Sequence, residues 1–107
     1  MLKKENRLLE KTRFEKNWST PFFVLKTAKN RTGVSRFAFQ VSKKTEKNAV
    51  LRNRIKRQIR SCIEKQIGEI KTGTDFLFII KKEAIRKETS RICEEVYGLL
   101  KKQNLLE

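Results

Sequence analysis

The chain has 107 residues, of which 27 are Lys or Arg, 12 are Asp or Glu and none is His. This length predicts one domain, and 37% hydrophobic residues fill one two-layer core with little left for a large enzyme pocket. With a net charge of +15, the positive side chains repel each other when the chain folds, and a polyanion would relieve this repulsion. The composition therefore favours nucleic acid as the partner, with an anionic membrane surface as the weaker alternative.

The first 42 residues predict one helix followed by two strands. A helix over residues 8–18, ended by Pro21, has one apolar face made of Leu8, Leu9, Phe14 and Trp18. The sequence FFVLKT at residues 22–27 predicts a strand. After a polar turn with Gly33, residues 36–42 alternate apolar and polar side chains. This alternation predicts a half-buried strand that forms a hairpin with the preceding one.

The rest of the chain predicts two helices around a buried strand. Asn48 is a candidate N-cap, and the helix after it has apolar residues at spacings of three and four up to Gly68: Leu51, Ile55, Ile59, Cys62, Ile63 and Ile67. The sequence FLFII at residues 76–80 is too apolar for a surface strand and predicts a central one. A final amphipathic helix carries Ile92, Val96, Leu99 and Leu100. The predicted fold is an α+β two-layer sandwich, with a small central sheet of about four strands packed against helices.

Signals for membranes, secretion and further domains are missing from the sequence. No window approaches 18 uncharged apolar residues, and the charged first 16 residues do not resemble a secretory signal, so we predict a cytoplasmic protein. Cys62 and Cys93 both fall in helical patterns, which favours buried thiols in a reducing compartment over a disulfide. Without a repeat or a linker, residues 1–107 are predicted to form a single RNA-binding domain.

Positive charge is concentrated in residues 43–60. This stretch has eight Lys and Arg against one Glu, which is +7 of the total +15. On a helix, the spacing of four residues places Arg52, Lys56 and Arg60 on one ridge, with Asn53 and Arg57 beside it. Bases at this spacing repel each other, so the ridge is not there for stability.

The N-terminus of this predicted helix is surrounded by cations: Lys43, Lys44, Lys47 and Arg52. A helix N-terminus carries a partial positive charge and prefers Asp or Glu, so cations there oppose stability. The same arrangement of N–H groups and cations suits phosphate binding. A merely solvated basic face is the alternative, which we disfavour because solvation alone would favour mixed charges.

These residues resemble a known signature. The pattern consists of Ser42-Lys43-Lys44, Asn48-Ala49-Val50, Arg52-Asn53-Arg54, Lys56-Arg57 and Arg60. It is similar to the RNR motif of the bacterial ribonuclease P protein subunit. The resemblance covers nearly the whole chain, from an early Arg7-Leu8 and two aromatic residues four positions apart to a closing helix.

The resemblance implies a fold in which the RNR helix makes a left-handed crossover between parallel strands. It also implies assembly with a large catalytic RNA that removes the 5′ leader from precursor tRNA. Mg²⁺ in that holoenzyme is held mainly by RNA, with none bound by the polypeptide alone, and neither a membrane nor a protein partner is implied. The implied RNA-binding residues are Ser42, Lys43, Lys44, Asn48, Arg52, Asn53, Arg54, Lys56, Arg57 and Arg60.

The resemblance further implies a cleft between helix and sheet that holds the single-stranded leader. Its implied lining is Phe14, Trp18, Phe23, Lys26, Phe37 and Phe39. This chain departs from the family pattern with Lys47 in place of the usual Gly, Trp18 in place of Phe, and a shorter segment between Trp18 and Phe22. The alternative is that Phe14 and Trp18, four residues apart, pack a helix onto the core.

The sequence offers no catalytic constellation of its own. Nucleases that use two metal ions gather carboxylates, and general acid–base nucleases commonly use His. Here the acids are almost all Glu in helical or terminal segments, with Asp75 alone at a strand start. We therefore expect no catalytic or metal-binding residues in the polypeptide. The competing interpretations are a small ribosomal protein and a basic amphipathic protein on a membrane surface, which the apolar strand disfavours.

Overall fold

The computed structural model describes residues 6, 7 and 13–107. Within these residues the chain forms four strands and two long helices, which confirms the predicted α+β fold class. The elements are β1 (Lys16–Ser19), β2 (Phe23–Lys29), β3 (Arg36–Gln40), α1 (Ala49–Gln66), β4 (Thr74–Ile80), a short 3-10 helix (Lys82–Ala84) and α2 (Thr89–Lys102).

The strands form one sheet in the order β1-β2-β4-β3. Strand β2 is antiparallel to β1 and β4, whereas β3 is parallel to β4. The predicted hairpin between β2 and β3 is wrong, because the strongly apolar β4 inserts between them and takes the centre, as its composition predicted. Helix α1 is the crossover that the parallel pair requires. The hand of this crossover stays a prediction.

The predicted helix over residues 8–18 is wrong at its C-terminal end, where the chain forms β1. Trp18 pairs with Leu25 across the sheet, and the hydroxyl of Thr20 accepts the N–H groups of Phe22 and Phe23 at 3.2 and 3.0 Å in the turn to β2. A spacing of four residues puts side chains on one face in a strand as well as in a helix, so Phe14 and Trp18 could not decide between them. Residues 8–12 lie outside the described residues.

The two faces of the sheet differ in burial. Residues paired directly across strands share a face, so one side, the inner face, carries Leu25, Phe76, Phe78 and their paired neighbours. The apolar stripes of both helices pack on it, and Ile55, Ile59, Ile63, Ile92, Val96, Leu99 and Leu100 are all buried, as predicted. The other side, the outer face, carries Val24, Lys26, Ala38, Leu77 and Ile79, all half-exposed.

Asp75 is a structural residue on the outer side of the sheet. It is 1% exposed, and its carboxylate accepts hydrogen bonds from Nε and Nη2 of Arg36 at 2.7 and 2.8 Å and from the amide of Asn30 at 2.8 Å. Asn30 also donates to the carbonyl oxygen of Val34 at 2.9 Å. The isolated acid in the sequence thus fixes the connection between β2 and β3.

Cys62 of α1 and Cys93 of α2 form a disulfide, with 5.1 Å between their Cα atoms. The prediction of free thiols is wrong, because the stripes of the two helices bring both residues to the line where α1 meets α2. The sequence alone could not show that the helices are neighbours. Paired cysteines give no support for a reducing compartment, and a cytoplasmic location stays a prediction.

We expect reduction of this disulfide to lower the free energy of unfolding by about 3 to 4 kcal/mol, because the bond closes a long loop, with a separation of 31 residues. Urea unfolding of the wild-type protein with and without a thiol reductant measures the difference. In the matched control, Cys62→Ser with Cys93→Ser, the reductant should have no effect. Two free thiols in unreduced, denatured wild-type protein would contradict the disulfide.

Candidate nucleic-acid interface

The loop between β3 and α1 begins with a turn that exposes two lysines. The Ser42 hydroxyl accepts the N–H of Thr45 at 3.0 Å, and the Ser42 carbonyl oxygen accepts the N–H groups of Thr45 and Glu46 at 3.1 Å. Lys43 and Lys44 lie within this turn and are exposed. Ser42 therefore shapes the turn, and the lysines supply its charge.

Asn48 caps α1 as predicted. Its side-chain oxygen accepts the N–H groups of Val50 and Leu51 at 2.9 and 3.4 Å. Its own N–H donates to Oε2 of Glu46 at 3.1 Å, so the one acid in the basic stretch is used inside the loop. The first turn of α1 contains no acidic residue. The positive end of the helix is left to the surrounding cations.

Arg52 closes the same loop from the helix side. Its Nη1 donates to the carbonyl oxygens of Glu46 and Lys47 at 2.7 and 2.9 Å, and its side chain is half-buried. A guanidinium has five N–H donors, so Arg52 keeps donors for a phosphate while it holds the loop. The predicted ridge of three equivalent bases is thus uneven, because its first member is a positioning residue.

The outward side of α1 carries the remaining residues of the signature. Asn53, Arg54 and Arg57 are exposed, and Lys56 and Arg60 are half-exposed. In the part of the chain that the structure describes, no carboxylate lies within ion-pair distance of the exposed cations of this loop and helix. We call these five residues the basic end of the molecule: Lys43, Lys44, Lys47, Arg54 and Arg57.

An arginine-lined groove of about 280 Å³ lies beside the basic end. Its lining is Arg7, Arg57, Arg60, Ser61 and Glu64. Arg7 reaches it because its backbone bridges to Phe37 in β3, next to a hydrogen bond of 2.6 Å from the Asn6 amide to the carbonyl oxygen of Ser35. In the sequence, Arg7 stands out only through the Arg7-Leu8 pair that resembles the family. Nothing local in the sequence shows that it meets a helix 50 residues later.

Arg60 is held over an aromatic ring. Its guanidinium carbon lies 5.7 Å from the centroid of Phe39, which stacks on Phe78 with 5.9 Å between ring centroids. Such a cation–π contact stabilises by about 0.5 to 1 kcal/mol at partly exposed sites. Arg60 and Phe39 therefore join α1 to the sheet, and the ring of Phe39 is not an open surface.

The structure does not bring the six predicted leader residues into one cleft. Phe23 and Phe37 are 0% and 3% exposed in the core, whereas Lys26 lies on the outer face. Trp18 and Phe39 are half-buried on β1 and β3, the two opposite edge strands. Phe14, half-exposed, precedes β1. The set is split because Phe23 and Phe37 are core residues of the inner face, whereas Lys26, three residues after Phe23 on β2, lies on the opposite face.

Two further properties of the described residues bear on the chemistry. They contain no group of three or more His, Cys, Asp or Glu that could hold a metal ion. None of their helices is long and apolar enough to span a lipid bilayer. The donors that this surface offers are cationic and suit phosphates rather than metals.

The comparison with protein families decides which basic protein this is. The family model described as Ribonuclease P matches residues 1–104. The chain belongs to the ribonuclease P protein family. Membership removes the ribosomal and membrane-surface interpretations and makes the chain a protein component of ribonuclease P, an endoribonuclease of tRNA 5′ processing.

Individual relatives agree with this assignment. A ribonuclease P protein component from Microcystis aeruginosa is 42% identical over 74 residues, which is 69% of this chain and 62% of that protein. One from Clostridium botulinum is 32% identical over 109 residues, covering 95% of this chain and 97% of its own length. The solved structure of the Staphylococcus aureus RNase P protein superposes with a TM-score of 0.77 at 30% identity, covering 86% of this chain and 84% of that one.

We expect Arg57→Ala and Arg52→Ala to behave differently. Arg57 is exposed, so its loss should change the free energy of unfolding by less than about 0.5 kcal/mol and weaken RNA binding only. Loss of Arg52 removes two charged hydrogen bonds from the loop and should also cost about 1 to 2 kcal/mol of stability. Urea unfolding and an RNA-binding titration on both variants measure this. Equal stability losses would show that Arg52 does not hold the loop.

Proposed function

We propose that the basic end and the arginine-lined groove bind the catalytic RNA of ribonuclease P. The observation that carries this proposal is the set of five exposed cations on an ordered loop and helix, with no ion-pair partner in the described residues. All residues of the predicted RNA-binding set take part, some by contact and some by shaping the loop. Ser42, Asn48 and Arg52 shape the loop, and Lys43, Lys44, Asn53, Arg54, Lys56, Arg57 and Arg60 face the RNA.

The role of these cations is electrostatic and positional. Precursor tRNA and catalytic RNA are both polyanions, and Lys and Arg placed where they meet lower the repulsion between them. The substrate is then held in a defined orientation, which favours the reaction without a catalytic group from the protein. Among the described residues, no group of three or more His, Cys, Asp or Glu could hold a metal ion, and the holding of Mg²⁺ mainly by RNA stays what the family resemblance implies.

The leader of precursor tRNA is proposed to lie on the outer face of the sheet. Val24, Leu77 and Ile79 form a half-exposed apolar strip there, with Lys26 beside it to contact a phosphate. Trp18 pairs with Leu25 and so lies on the inner face, and Phe14 precedes β1, so both stay predicted leader contacts outside this surface. A flat apolar surface with a nearby cation suits single-stranded RNA. The faces of its unstacked bases can contact the apolar side chains whatever the base, and its phosphates can contact the cation.

Reconstitution tests the proposed function directly. We expect the purified protein alone to leave precursor tRNA intact, and the protein with a bacterial ribonuclease P RNA to cleave at the mature 5′ end at an Mg²⁺ concentration at which the RNA alone is slow. The measured quantity is the cleavage rate on labelled precursor tRNA. RNA-free cleavage that survives rigorous nuclease removal, or no stimulation of the RNA, would overturn the proposal.

The outer face is tested by Lys26→Ala. We expect this variant to lose about fivefold, or about 1 kcal/mol, in the preference of the holoenzyme for precursor over mature tRNA, because only precursor tRNA has a leader phosphate at this position. Binding of the catalytic RNA should stay unchanged. Lys101→Ala, an exposed residue of α2, is the control. If Lys26→Ala affects both tRNAs equally, the leader does not lie on the outer face.

A further inference from the structure

A second concave site lies at the end of the sheet opposite the basic end. A pocket of about 250 Å³ opens where β2 finishes and β4 begins. Three lysines and two threonines line it, together with Glu15, Ala28 and Leu105. We call the five residues Lys16, Lys29, Lys71, Thr27 and Thr74 the lysine pocket.

The strand register explains why these residues converge. Lys16 pairs with Thr27 and Lys29 pairs with Thr74, and all four side chains lie on the inner face. Lys71 lies in the connection between α1 and β4. The backbone N–H of Lys71 donates to the carbonyl oxygen of Leu105 at 2.8 Å and holds this connection in place. The threonines are 5% and 7% exposed and form the floor, whereas the three lysines are exposed at the rim.

The lysine pocket carries a net positive charge, because three ammonium groups line it with one carboxylate, that of Glu15. No carboxylate lies within ion-pair distance of Lys16, Lys29 or Lys71 there. Glu15 is at the rim, but its Oε1 accepts the backbone N–H of Lys29 at 2.9 Å. Three ammonium groups around one concavity repel each other and favour an anion between them. The ammonium groups and the Thr27 hydroxyl are donors that match the oxygens of a phosphate, whereas the Thr74 hydroxyl donates to the carbonyl oxygen of Thr72 at 3.4 Å.

We infer that the lysine pocket binds a backbone phosphate of RNA, at a second contact remote from the basic end. This inference rests on the proposed function, since it adds a contact to the same ribonucleoprotein. The two sites lie at opposite ends of strands of seven residues, which places them about 20 Å or more apart. The protein would then engage two points of RNA at once instead of docking by one end only.

The double variant Lys29→Gln with Lys71→Gln tests the inference against Lys101→Gln with Lys102→Gln. Both remove two positive charges from exposed positions, but Lys101 and Lys102, at the end of α2, do not line the pocket. Affinity is measured over a salt series, for the catalytic RNA and then for precursor tRNA on the assembled holoenzyme. Urea unfolding confirms that both variants fold.

We expect the pocket variant to bind severalfold more weakly, with the slope of log affinity against log salt flatter by about 0.7 to 0.9 for each lost phosphate contact. An effect on the catalytic RNA or on precursor tRNA identifies which RNA supplies the phosphate. Equal behaviour of the pocket variant and its control would overturn the inference. Arg57→Ala in the same series separates the two claims. If Arg57→Ala weakens RNA binding and the pocket variant does not, the proposed function stands and only the inference fails. If Arg57→Ala has no effect on RNA binding, the proposed function is contradicted.

Discussion

The parallel pairing of β3 with β4 is the constraint on which the rest of the structure depends. A chain that leaves β3 at Gln40 must return the length of the sheet before β4 can start at Thr74. Helix α1, with 18 residues and a length of about 27 Å, makes this return. Its first turn therefore lies where β3 ends, and its last turn lies where β4 begins. The cations of residues 43–57 are gathered at one end of the molecule, and Lys71 is carried to the other.

Charge and shape are divided between different residues of the signature. Ser42, Asn48 and Arg52 form hydrogen bonds with the backbone of the loop and of the first turn of α1. The neighbouring lysines and arginines have no ion-pair partner within the described residues. A loop that is ordered before binding loses less conformational entropy when RNA docks. Cations at a helix N-terminus cost stability, which is offset here by the buried stripe of α1 and by the disulfide to α2.

Local patterns predicted the parts of the structure that depend on neighbours in sequence. The Asn48 cap, the stripe of α1 and the central position of β4 follow from side-chain chemistry, period and composition. Strand β1 was missed because Phe14 and Trp18 fit either period. The sheet order, the disulfide and the arginine-lined groove were missed because each joins segments that are distant in sequence. The RNR residues could be named from their pattern, but the separation of positioning residues from exposed cations needed coordinates.

The central claim is that RNA docks on the basic end of the molecule. Chemical modification of lysine and arginine side chains, measured by mass spectrometry in the free protein and in its complex with ribonuclease P RNA, tests it most directly. We expect strong protection of Lys43, Lys44, Arg54 and Arg57 in the complex, with Lys101 and Lys102 modified as in the free protein. Protection of the α2 lysines while the basic end stays reactive would contradict it.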